Sequence, residues 1–185
     1  DNVSSDNAPE IERRIQRIIN LDPDFGRIYY EGALILSVKA PGMALKIIDQ
    51  AIANPKLDNN WKLPMLAGSI TMRPEMEKHY KGGEMDRGAV EKARSYFEEA
   101  LKRPGHAEYV LNAVVRTHAA LLNSNEPREV KELEVWYDRW EEYDRSMNEY
   151  SMDEGGEGMY YMEGSGDGDI KKSLMNALRK AQVAH

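Results

Sequence analysis

Two stretches share one frame: ALKIIDQAIANP at residues 44–55 and ARSYFEEALKRP at residues 93–104. In each, an Ala is followed seven residues later by a second Ala and four after that by Pro. Seven residues is close to two helical turns, so Ala44 and Ala51 share one helix face, as do Ala93 and Ala100. Small side chains on that face let a neighbouring helix come close, and the Pro ends the helix because it cannot continue it comfortably. Ile47 and Ile48 in the first copy, and Tyr96 and Phe97 in the second, put apolar bulk at the i+3 and i+4 positions.

Working outward, an earlier stretch repeats the ending. Ile11, Ile15, Ile18 and Ile19 lead to Pro23, so three helices are expected to end alike, in Leu21-Asp22-Pro23, Ala53-Asn54-Pro55 and Lys102-Arg103-Pro104. Each Ala–Ala helix also follows another apolar helix. Tyr29, Tyr30, Ala33, Leu34 and Leu36 precede the Pro41-Gly42 turn, and Trp61, Leu63, Met65, Leu66, Ala67 and Ile70 form their counterpart. Gly32 and Gly68 sit within these first helices, but Gly32 precedes Ala44 by 12 residues and Gly68 precedes Ala93 by 25. The excess predicts an insertion at about residues 73–87, where Pro74, Gly82 and Gly83 suggest a widened loop.

Across residues 8–123 this pattern resembles the tetratricopeptide repeat (TPR) family, on Gly32, Ala44, Ile48, Ala51 and Pro55, and on Gly68, Ala93, Phe97, Ala100 and Pro104. The resemblance implies an all-α fold, a right-handed superhelix of antiparallel helix pairs, with the first helix of each pair along a concave face. Carried onto this chain, the family's groove positions are Tyr29, Ala33, Leu36, Lys62, Met65, Ser69, Met72, Arg73, Val114 and His118. The family's carboxylate-gripping form needs several Lys and Asn groove residues, for which only Lys62 and Arg73 are candidates.

Downstream, residues 106–123 and 127–147 read as a further helix pair, the second opened by Pro127 at a first-turn position. In that second helix Glu129, Leu133 and Trp136 stand where Ala, a large residue and Ala are expected, so the repeat fades as a terminal cap would. The helical domain is thus bounded at residues 1–147. Residues 148–169, NEYSMDEGGEGMYYMEGSGDGD, are rich in acids and Gly, and Gly at that density opposes helix. Residues 170–185 resume helical periodicity, with Ile170, Leu174, Leu178 and Ala181 on one stripe.

The formal net charge of the 185 residues is −7, and ten acids between Glu141 and Asp169 face a single base, Arg145. An acidic band on a near-neutral body argues against nucleic acid as a partner, which would need a basic footprint. No apolar run approaches the roughly 18–20 residues needed to span a bilayer. With no Cys, disulfides and thiolate metal sites are excluded. The polar leader at residues 1–9 lacks signal-peptide design, and a chain starting at Asp1 slightly favours an exported or periplasmic location.

Chemistry leaves little trace. His79, His106, His118 and His185 make no His-Glu-x-x-His motif, and no phosphate-cradling or nucleophile-elbow motif occurs. Gly166-Asp167-Gly168-Asp169 lacks the closing Glu of a calcium loop. The expectation is therefore no enzyme, no metal and no cofactor. The role expected is that of a protein-interaction scaffold, or an accessory or assembly subunit of a larger complex, taking a partner segment on its concave face and loops. The alternative is a structural subunit of a membrane-associated assembly whose own C-terminal helix fills the groove.

Overall fold

The computed structural model describes residues 4–107, 109–122 and 127–153, together with Met175 and Arg179; side chains at 127 and 143–153 fall outside the description. Every regular element among the described residues is helical. They are α1 (Ala8–Leu21), α2 (Gly26–Leu36), α3 (Pro41–Ile52), a 3-10 turn (Pro55–Leu57), α4 (Lys62–Tyr80), α5 (Arg87–Lys102), α6 (Tyr109–Leu121) and α7 (Pro127–Asp153). The chain divides into two compact units, residues 1–110 and 111–185.

In the first unit, neighbours in sequence pack on one another: α1 on α2, α2 on α3, α3 on α4 and α4 on α5. The alanine frame is the reason. Ala44, Ala51, Ala93 and Ala100 are all wholly buried, at 0% exposure, with Ile47, Ile48 and Phe97 beside them in the core. Gly32 and Gly68 mark close approaches between helices, although to different neighbours. A Cβ on Gly32 would lie 2.9 Å from Ile15 of the preceding helix, whereas one on Gly68 would overlap the Phe97 ring of the following helix.

The repeated helix endings do a repeated job. In the second and third of these endings, the residue immediately before the Pro reaches back to the turn between the two preceding helices. Asn54 donates from Nδ2 to the Pro23 carbonyl at 2.9 Å, and Tyr29 donates its hydroxyl to the same oxygen at 3.0 Å. Arg103, only 4% exposed, donates from Nη1 to the Leu57 carbonyl at 3.1 Å and the Asn60 carbonyl at 3.2 Å. Its charge is met by Glu99 at 3.3 Å and by Asp58 at 3.9 Å. A second tie joins α3 to α5, where the Tyr96 hydroxyl donates to Asp49 at 2.6 Å.

The insertion at residues 73–87 is a correction to the expected loop. α4 runs on to Tyr80 with exposed Pro74 inside it, and only residues 81–86 form the turn into α5. Pro74 offers no N–H to the Ile70 carbonyl, a loss tolerable on a solvent-facing side. Between Thr71 and Ala89 no residue is buried, so the α4–α5 hairpin projects beyond its own core. Local bonds hold its tip. Gly82, at φ +80°, ends α4, and the Gly83 N–H donates to the Lys78 carbonyl at 3.0 Å. Asp86 caps α5 by accepting from the Ala89 N–H at 2.8 Å, while its own N–H donates to Glu75 at 2.6 Å.

In the second unit α6 buries Leu111, Val114, Val115, Thr117, His118 and Leu121, and α7 buries Leu133, Tyr137 and Trp140 at helical spacing. His118 lies 5.5 Å from Trp136 ring to ring, and Arg139 stands 5.4 Å over the other partner in that stack, Trp136. α7 continues to Asp153, so residues 148–153, expected to break the helix, extend it instead. The glycines begin only at residue 155. Residues 154–169 lie outside the described residues, as does the expected helix at 170–185 apart from Met175 and Arg179, both helical and exposed. Among the described residues no helix is long and apolar enough to cross a membrane.

Candidate functional site: an aromatic cleft between helices

The first unit holds an open cleft of about 590 Å³. α2 contributes Arg27 and Tyr30, the turn before α4 contributes Asn60 and Trp61, α4 contributes Lys62, Met65, Leu66 and Ser69, and the first residue of α6 contributes Tyr109. Helical spacing explains the set. Residues 62, 65, 66 and 69 fall at i, i+3, i+4 and i+7 and so share one face of α4, which passes at Leu66 into the buried face of Leu63, Ala67 and Ile70.

Among the lining residues, Trp61 makes two ring contacts. Tyr109 meets it edge-on, with ring centroids 5.7 Å apart and planes at 67°, and the Lys62 ammonium stands 5.9 Å over its ring. Both contacts suit the ring's negative face and positive edge. The turn carrying Asn60 and Trp61 is held from beneath by Arg103, through the Leu57 and Asn60 carbonyls. Arg27 pairs with Glu31 at 2.6 Å one turn along α2. The Ser69 hydroxyl is turned into its own helix, donating to the Met65 carbonyl at 2.9 Å. Burial, and secondarily the neighbouring Tyr30, raise the Tyr109 phenol above its ordinary value, so it remains a neutral donor at physiological pH.

Of the ten expected groove residues, the structure brings Lys62, Met65 and Ser69 to the cleft. Met72 is half-buried and Arg73 exposed further along α4, beyond the lining set. Tyr29, Ala33 and Leu36 are core residues at 2%, 0% and 0% exposure, so they are not available to a ligand. Val114 and His118 are buried in the second unit. The accessible face of α2 is turned by one residue from the expected one and carries Arg27, Tyr30 and Leu34. Tyr30 and Trp61 are legible as apolar residues of the first helices; the exposed Arg27–Glu31 pair beside Tyr30 is the signal that marks its face as accessible, and no such signal marks Trp61.

Among the described residues no group of three or more His, Asp or Glu side chains is placed to hold a metal ion. Comparison with protein-family models, curated proteins and solved structures finds no match.

Proposed function

We propose that this chain is a protein-interaction scaffold of the tetratricopeptide kind, an accessory or assembly subunit that takes a partner segment along the first helices of its pairs. The observation that carries the reading is the cleft itself. Arg27 and Tyr30 of α2, Lys62, Met65 and Ser69 of α4, and Tyr109 at the start of α6 line one surface, as the first helices of a right-handed superhelix would. The backward bonds of Asn54 and Arg103, each just before a Pro, add a structural repeat to the sequence one. Leu34 of α2 and Val38 of the turn that follows it are exposed at 47% and 67% and add apolar surface beyond the cleft. An open, aromatic and Met-bearing surface of this kind suits a peptide better than a small substrate. In this reading the chain is not an enzyme.

The test is co-purification of the tagged full chain from its native source, in parallel with Trp61→Ala. Partners held by the wild type and lost by the variant support the scaffold reading. A chain recovered alone, or with an identical set in both cases, refutes binding through this cleft.

A further inference from the structure

Resting on the reading of the cleft as a peptide groove, we infer that its partner is an acidic segment carrying an aromatic or Met anchor. The argument is charge complementarity around an aromatic centre. Two cations, Arg27 and Lys62, line the cleft, and none of its lining residues is acidic. Three aromatic residues from three elements, Tyr30, Trp61 and Tyr109, line the same space with Met65. Aromatic clusters of this sort often take cationic ligands, but here the Trp61 face already carries the Lys62 ammonium at 5.9 Å. A ligand cation would meet that charge with no lining carboxylate to offset it. An anion meets a complementary one.

The cations are not equal. Arg27 shares its charge with Glu31 at 2.6 Å, whereas Lys62 sits on the aromatic centre. The Tyr109 phenol, kept neutral, can donate to a carboxylate, as can the Tyr30 hydroxyl. Lys62 therefore sets the sign of the ligand's charge, and Trp61 and Met65 provide the surface for its apolar anchor.

The experiment selects a displayed library of random dodecapeptides on the full chain, and repeats the selection on Lys62→Glu and Trp61→Ala, both checked for wild-type helicity and melting. The expected result is enrichment of Asp- and Glu-rich sequences containing Tyr, Phe or Met. A synthetic peptide of the enriched sequence should bind the wild type, weaken about tenfold with Lys62→Glu, and weaken further as salt rises. Enriched sequences that are neutral or basic yet still lost with Trp61→Ala overturn the acidic partner and leave the groove standing. Acidic peptides that bind all three proteins equally overturn this placement of the site. No enrichment dependent on Trp61 overturns both the inference and the groove beneath it.

Discussion

The Arg103 Nη1 atom lies 3.2 Å from the Asn60 carbonyl oxygen, so a buried guanidinium at the end of α5 fixes the backbone that presents Trp61. Arg103→Met keeps much of the side-chain bulk but removes the charged donor from the Leu57 and Asn60 carbonyls, which keep only their backbone donors, the Asn60 and Leu63 N–H groups. We expect a loss of about 2–3 kcal/mol in stability, because hydrogen bonds to charged groups are worth more than neutral ones. Amide exchange at residues 57–62 should accelerate beyond the global change. Unchanged protection there would separate Arg103 from the cleft.

Gly68→Ala should destabilise by about 1–3 kcal/mol, because the added methyl overlaps the rigid Phe97 ring. Gly32→Ala should cost less, since it meets the Ile15 side chain, which can shift, and helix propensity favours Ala over Gly by up to about 1 kcal/mol. Phe97→Leu should partly rescue Gly68→Ala in a double-mutant cycle. Equal effects of the two Ala substitutions would refute the different partners of the two glycines.

Ala51→Leu and Ala100→Leu each insert bulk at wholly buried positions, and each should cost roughly 1–3 kcal/mol in chemical denaturation. Neutral behaviour of both would contradict the shared face of the two alanine helices.

Alkaline pH should unfold the first unit. Burial, then the bond to Asp49, raise the Tyr96 phenol, and burial with Asp24 and Asp22 raises that of Tyr29. A folded value above the unfolded one means that the folded state holds the proton more tightly. This contribution is complete below pH 10, the ordinary value, and is lost as pH rises above it. Tyr96→Phe should flatten the stability curve above pH 10, and an unchanged slope would discount the Tyr96–Asp49 bond.

Replacing residues 75–86 by a short turn should leave the first unit cooperative, because the hairpin beyond Thr71 buries nothing. A large fall in melting temperature would mean that the projection supports the core.

The sequence revealed the parts of the fold that depend on small residues at fixed spacing. Ala44, Ala51, Ala93 and Ala100 were placed by counting turns, and all four are fully buried. Counting failed on α2, where Ile28, Tyr29, Tyr30, Ala33, Leu34, Ile35 and Leu36 are apolar nearly all round. One residue rotates a helix by about 100°, and the only charged residues of α2, Arg27 and Glu31 at i,i+4, form a single short stripe that marks the accessible face beside Tyr30. Tyr29 lies in the core, and it is Tyr30 that lines the cleft. Arg103 is hidden for another reason: an Arg before Pro looks solvated, and only the packed turn at 57–60 reveals its two carbonyl acceptors. Pro74, Gly82 and Gly83 read as loop, although the Pro lies within α4 and the glycines close it. Propensity marks where a helix is weakened; the surrounding bonds decide whether it ends.

The ties made by Asn54 and Arg103 all point backward along the chain, to turns 23 and 57–60. As the polypeptide leaves a ribosome, each donor therefore emerges after its acceptors. At these two points the fastening is already in place when its donor arrives, so the first unit can close its turns in the order in which they are made.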